Sequence, residues 1–371
     1  CQIEEKGYDE TQDVHELLQE AEAKIFDISQ RSQKRDVTHI SPVIGEAFER
    51  MRKAAKNEGN ISGIPSGFTE LDKITSGWQK SDLVIIAARP AMGKTAFVLS
   101  MAKNMAVDYK IPVAIFSLEM SNVQLVNRLI MNVCEIEGSK IRNGRLSQTE
   151  WEKLENNIRP LGDAPIYVDD TPGLSVFELR SKARKLVREK DIKVIIIDYL
   201  QLMNANGAFF GSREQEVSII SRTLKGLAKE LDIPVIALSQ LSRNVEKRDS
   251  SNSNVDGKKP LLSDLRESGA IEQDADMVCF IHRPEYYKLY DDGNGKDLRG
   301  LGQIIVAKHR NGATDEIWLR FIGKYTRFQN ENDAYDEEIY APAQYETTRS
   351  KLNSLPPEAQ GAQLDDDITP F

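Results

Sequence analysis

Short apolar runs alternating with helical segments constrain this chain more than any other feature. The first five runs occupy 83–87, 113–116, 166–168, 194–197 and 235–238, and a sixth lies at 277–281. They are short and rich in β-branched residues, the pattern of strands buried on both faces. Between them, 96–107, 122–134, 148–158, 177–189 and 214–230 read as helices. Strands alternating with helices imply a parallel sheet covered on both sides. Two later runs, 302–307 and 316–321, have no helical segment between them and predict antiparallel edge strands. The expected fold is α/β, with a mostly parallel central sheet, helices on both faces and a helical stretch ahead of it.

The segment Ala88-Arg89-Pro90-Ala91-Met92-Gly93-Lys94-Thr95 joins the first strand to the first of these helices. A phosphate-binding loop requires that context. Its backbone N–H groups and the helix N-terminus offer positive potential to phosphate oxygens. Lys94 is placed to reach β and γ phosphates, and the Thr95 hydroxyl to ligate Mg2+. The strict motif has Gly where Ala88 stands, a substitution that fits if that position needs no positive φ.

Three further residues fall at strand ends, where open α/β sheets bind ligands. Asp198 ends the run 194–197 and is placed to support Mg2+ through water. Glu119, in Phe116-Ser117-Leu118-Glu119-Met120, follows the second strand. It reads either as a general base for an attacking water or as a charge favoured at a helix N-terminus. Gln240, in Ser239-Gln240-Leu241-Ser242-Arg243, is either an amide that senses a γ phosphate or an ordinary loop residue.

The net charge of −9 has the wrong sign for a generic nucleic-acid binder, so any such contact must be local, in a groove or pore. No apolar run approaches the roughly 20 residues of a membrane span. Three cysteines without metal-ligand spacing fit a reducing cytoplasm. Val14, Leu17, Leu18, Ala21, Ile25 and Ile28 make 11–33 an amphipathic helix, which covers its own domain or packs on a neighbour. A polar break at 31–39 precedes a second helical stretch at 44–55. From 330 onward the chain turns acidic and Pro-containing and is expected to be flexible.

The order of motifs resembles the RecA-like P-loop motor of replicative DNA helicases of the DnaB family. The matching segments are the phosphate loop, Phe-Ser-Leu-Glu-Met, Ile-Ile-Asp-Tyr-Leu-Gln-Leu-Met and Ser-Gln-Leu-Ser-Arg. Asp-Leu-Arg-Glu-Ser-Gly-Ala-Ile-Glu-Gln-Asp-Ala-Asp and Ala-Lys-His-Arg-Asn-Gly then follow. The resemblance implies an ATP- and Mg2+-dependent hexameric ring that moves 5′ to 3′ on single-stranded DNA and unwinds duplex at the replication fork. Primase and a helicase loader are its implied partners. It divides the chain into a linker region at 1–58, a RecA-like domain at 59–329 and an acidic tail at 330–371. The family's N-terminal collar domain has no counterpart, so the expectation is a trimmed chain. The helix at 13–26 resembles the linker helix that docks on the adjacent protomer.

The resemblance also assigns roles. Arg89, Ala91, Met92, Gly93, Lys94, Thr95 and Ala96 would line the nucleotide, with Arg128 contacting it unless it is a surface charge. Glu119 would be the general base, Thr95 and Asp198 the metal ligands, and Gln240 the γ-phosphate sensor. Arg266, Glu267 and Gly269 would meet single-stranded DNA phosphates, Glu267 through its backbone N–H. Lys308 and Arg310 alternate on a late strand and share a face; they would serve ATP on the neighbouring subunit, from a sheet edge turned toward it. The stretch 248–260 is longer and more polar than the family pattern, and His309 stands where Gln is usual. The tip Leu364-Asp365-Asp366-Asp367-Ile368-Thr369-Pro370-Phe371 reads as a solvating tail or as a dock for a replication partner. A filament-forming recombinase and an ATP-gated assembly module are the competing functions.

Overall fold

The computed structural model describes residues 39–56, 61–205, 213–242, 245, 255–293 and 295–333. The expected helix at 11–33, the segment 248–254 of the polar stretch and the tail from 334 lie outside them.

Helix α1 (Ile40–Lys56) comes first, then α2 (Thr69–Thr75), β1 (Leu83–Ala88) and α3 (Lys94–Lys103), which runs into a π turn at Asn104–Asp108. Next are β2 (Val113–Ser117), α4 (Asn122–Cys134), α5 (Gly138–Asn143), α6 (Gln148–Gly162), β3 (Ile166–Asp169), α7 (Val176–Lys190) and β4 (Val194–Asp198). The chain continues through α8 (Arg213–Leu231), β5 (Val235–Gln240), α9 (Gly269–Asp274) and β6 (Met277–His282). It closes with β7 (Leu301–His309), β8 (Asp315–Ile322) and β9 (Arg327–Asn330).

The strands form one sheet in the order β3-β2-β4-β5-β1-β6-β7-β8-β9. Pairings up to β6 are parallel, and those from β6 through β9 are antiparallel. The α/β expectation therefore holds, with β7 and β8 in the antiparallel outer part of the sheet as expected and β9 outermost. The sequence offers no sign of β9, because Arg327-Phe328-Gln329-Asn330 has only one apolar side chain and carries no strand period.

Side-chain alternation builds two cores. Val84, Ile86 and Ala88 face Phe97, Leu99 and Met101 of α3 and Leu125 and Leu129 of α4. Leu83, Ile85 and Ala87 face Leu179 and Ala183 of α7 and Ile220, Leu224 and Leu227 of α8. Each fully buried Leu or Ile contributes about 1.5–3 kcal/mol, so the first strand is fixed from both sides. Helix starts are set locally by Ser121, Ser147 and Ser175, whose side chains accept from the N–H of Gln124, Glu150 and Glu178.

One irregularity positions functional side chains. Val278 pairs with Lys308, but Cys279 pairs with Val306, leaving Ala307 extra. Ile304 and Val306 belong to the core of α3 and α4, whereas Val278 belongs to the core of α8. The bulge re-aims the end of β7, so Lys308 projects with Val278 toward α8 and α9.

Candidate functional site

Because β1, β2, β4 and β5 are parallel, their carboxyl ends converge. Ala88 lies beside Gln240, and Ser117 beside Asp198. Ala88 is extended as the last residue of β1, which removes the need for Gly there. The tight backbone falls instead at Ala91 (φ 63°) and Gly93 (φ 92°). Its positive φ calls for glycine at Gly93, and a Cβ there would also stand a tight 3.1 Å from the Phe328 ring.

Thr95 Oγ1 donates to Asp198 Oδ2 at 2.8 Å. Asp198 is buried, and its Oδ1 has no hydrogen-bond partner among the described residues. Burial pushes its carboxyl pKa up; Glu119 adds to the rise, while the Thr95 hydrogen bond, Lys94 and Arg128 pull it down. A hydroxyl beside an under-satisfied buried carboxylate is a donor set that suits a hard divalent cation and its water.

Lys94 Nζ donates to the Ala88 carbonyl at 3.4 Å and lies 5.7 Å from the Tyr199 ring centroid. Burial pulls its pKa down, while Asp198 and Glu119 hold it up. An ammonium that has lost water gains most from an anionic ligand such as phosphate.

Glu119 stands exposed on the turn between β2 and α4. Ser117 Oγ donates to the Met120 carbonyl at 2.8 Å, and Leu118 N donates to the Asp198 carbonyl at 2.7 Å. These bonds pin the turn against the end of β4. The structure thus brings Lys94, Thr95, Glu119, Arg128 and Asp198 together at one end of the sheet.

Gln240 is exposed at the end of β5, and its N–H donates to Gln201 Oε1 at 3.3 Å. Gln201 Nε2 donates to Ser239 Oγ at 2.8 Å. Sequence reasoning overlooked Gln201; its one signal was a polar residue between Leu200 and Leu202. Arg89, expected to line the nucleotide, also reaches back into the sheet. One nitrogen of its buried guanidinium donates to the Leu241 carbonyl at 2.8 Å.

The next residue, Ser242, donates its N–H to the Asp264 carbonyl at 3.2 Å. Asp264 lies in the 3-10 helix Leu262–Ser268, whose Leu265 is buried. Arg266 and Glu267 are on that helix, with Gly269 exposed at the start of α9; the side chains of Arg266 and Glu267 lie outside the described residues. Arg89, Leu241, Ser242 and Asp264 therefore link the phosphate loop to the expected DNA segment.

Lys308 and Arg310 are elsewhere. Arg310 N donates to the Asp276 carbonyl at 2.9 Å, and Asp276 N to the Leu83 carbonyl at 3.0 Å. Arg310 therefore sits beside the beginning of β1, whereas the phosphate loop follows its end. The five residue steps between Leu83 and Ala88 span about 17 Å. Within one chain, Arg310 is not brought to Lys94.

Comparison with known proteins agrees with this layout. The family described as DnaB-like helicase C terminal domain matches residues 63–330. The replicative DNA helicase DnaB of Geobacillus stearothermophilus is 44% identical over 340 residues, covering 92% of this chain and 72% of that protein. The replicative DNA helicase DnaC of Bacillus subtilis (strain 168) is 43% identical over 335 residues, 90% of this chain and 71% of that one. Among solved structures, one described as an ATPase domain superposes with a TM-score of 0.72 at 41% identity, covering 80% of this chain and 99% of that one. A DnaB-like replicative helicase described with its interactions with primase gives a TM-score of 0.72 at 39% identity, covering 89% and 73%.

Proposed function

Because this chain belongs to the family of DnaB-like helicase C-terminal domains and is a replicative DNA helicase motor, we propose that it hydrolyses ATP between the subunits of a hexameric ring that moves along one DNA strand. The observation that carries this reading is the division of charged groups between the two ends of the sheet. One end holds a phosphate loop, a carboxylate with an open oxygen and an exposed glutamate. The other presents Arg310, about 17 Å away along β1, too far to serve the nucleotide of its own chain.

In this reading the loop N–H groups and Lys94 bind the phosphates, and Arg128 contacts the nucleotide. Thr95 and Asp198 hold Mg2+, which when bound neutralises phosphate charge. Glu119 takes a proton from the attacking water, and Gln240 registers the γ phosphate. Arg310 and Lys308 complete the site of the adjacent subunit. Arg266, the Glu267 backbone and Gly269 track the phosphates of a single strand.

The division into 1–58, 59–329 and 330–371 is the proposed domain plan, with the linker helix and the acidic tip outside the described residues. Primase is a proposed partner by analogy with the related helicase, and a loader by the family's habit. No helix among the described residues is long and apolar enough to cross a membrane, and work in the cytoplasm is proposed with the motor.

A forked duplex with a labelled strand tests the motor. Displacement should require ATP and disappear in Lys94→Ala, which loses nucleotide binding. ATP hydrolysis without displacement would contradict unwinding and favour a binding assembly instead.

A further inference from the structure

Arg310 is anchored inside its own chain while part of it remains exposed. Its NH1 donates to Asp276 Oδ1 at 3.2 Å, and its NH2 donates to the Gln273 carbonyl. Asp276 is buried, and its other oxygen accepts from Leu83 N at 2.8 Å and from Lys225 Nζ at 2.5 Å. One oxygen is thus fixed by the sheet and α8, and the other holds the guanidinium. With its side chain 46% exposed, Arg310 still faces outward.

Lys308 is held the same way, its Nζ donating to the carbonyls of Glu272 and, at 2.8 Å, Ala275. Residues 272, 273 and 275 lie at the carboxyl end of α9, where carbonyls lack intrahelical partners and favour cations. The other end of α9 is Gly269, two residues after Glu267. The helix has six residues, a length of about 9 Å. Ile271 packs it into the core of α8, and Ser221 Oγ donates to Asp274 Oδ2 at 2.8 Å. The expected DNA contact and the two cations are therefore opposite ends of one short packed piece. The bulge at Ala307 gives Lys308 the face that meets it.

We propose that Asp276 is a positioning residue for Arg310, and that α9 with Asp276 couples strand contact at Arg266–Gly269 to the placing of the guanidinium offered to the adjacent subunit. The inference rests on the reading that Arg310 acts in trans. A guanidinium already held in place loses little freedom when the transition state forms, and small misplacements of such groups are expensive in rate. The buried Asp82 carboxyl belongs to the same charge cluster: burial and then Asp276 push it up to about 6, against the pull of Lys225 and Arg310.

The test measures ATP hydrolysis by the assembled full chain, with and without an oligothymidine strand, for Asp276→Asn, Asp276→Glu, Lys225→Gln and Arg310→Ala. Asp276→Asn keeps an acceptor for Leu83 N but loses the charge. Its strand-stimulated kcat should fall about tenfold or more, with KM for ATP within about twofold of the parent, because the lost contact is made in the transition state. Asp276→Glu keeps the charge but shifts the guanidinium, and its kcat should lie between the parent and Arg310→Ala. Lys225→Gln removes the other cation from the same carboxylate and should leave kcat unchanged.

Parental kcat in Asp276→Asn beside a deficient Arg310→Ala overturns the inference alone. So does an equal loss in Lys225→Gln, or a raised KM, since either means that Asp276 only supports the sheet end. Parental hydrolysis by Arg310→Ala overturns the trans reading and the inference with it. If Asp276→Asn does not assemble, Asp276→Glu decides: an intermediate kcat supports the proposal and a parental kcat refutes it.

Discussion

The two ends of the sheet differ in how far their polar groups are satisfied. At the carboxyl end, Asp198 has an open buried oxygen and Lys94 carries a charge that burial disfavours. At the opposite end, both oxygens of Asp276 are engaged, with Lys225 and Leu83 on one and Arg310 on the other. Buried carboxylate oxygens are almost always paired, so an unpaired one beside a phosphate loop is fit to take a ligand. A closed cluster instead fixes what it holds. In the proposed reading the first end receives a nucleotide, and the second presents an arginine to the adjacent subunit.

The largest effect that would sharpen this contrast is expected at the closed end. Arg310→Ala should bind ATP and assemble yet hydrolyse it slower by a factor on the order of 10³, measured as kcat. At the open end, Glu119→Gln should bind ATP and hydrolyse it at least about a hundredfold more slowly. Normal turnover by Glu119→Gln would move the base to another residue and break the division proposed between the ends.

A smaller effect is expected at the linking segment. Arg266→Ala should weaken single-stranded DNA binding about equally across sequences and lower the salt slope by about one phosphate per contacting subunit. A changed base preference at constant slope would mean that this segment reads bases.

The smallest effect concerns Asp82, whose carboxyl rises from its ordinary 3.8 to about 6 on folding, through burial first and Asp276 second. The folded chain then binds a proton more readily than the unfolded one between those two values, so stability falls as pH rises through that window. The penalty is fully present above about pH 6. Asp82→Asn should therefore raise the thermal midpoint at pH 8, with the gain fading toward pH 4. A gain of equal size at both pH values would mean that Asp82 is not part of the charged cluster.

Residues whose meaning is local were legible in the sequence. The runs of β1, β2 and β4 show their burial directly, and α4 spans Asn122–Cys134 as expected because its period and its Ser121 cap are both local. Lys94, Thr95, Glu119 and Asp198 could be singled out because each lies at or just beyond a recognisable strand, Lys94 and Thr95 where the loop after β1 opens α3. Asp276 could not, since its partner Leu83 lies 193 positions earlier and within Asp274-Ala275-Asp276 it is one more acidic residue. The second contact of Arg89 was hidden for a related reason. Its place in the loop suggested nucleotide, and the Leu241 carbonyl that it also reaches arrives from a distant strand. The bulge at Ala307 is a property of pairing and leaves no mark in Ile-Ile-Val-Ala-Lys-His-Arg.

The central claim is that each nucleotide site is completed by two chains, and mixing mutant subunits tests it most directly. Arg310→Ala and Lys94→Ala subunits are combined at varied ratios, after confirming that subunits exchange, and the ATPase rate is followed. Where an Arg310→Ala subunit supplies the phosphate loop and a Lys94→Ala subunit supplies the arginine, one complete site is rebuilt. The account predicts a curve that rises above the weighted mean of the two mutants at intermediate ratios. A curve that never exceeds that mean would contradict it.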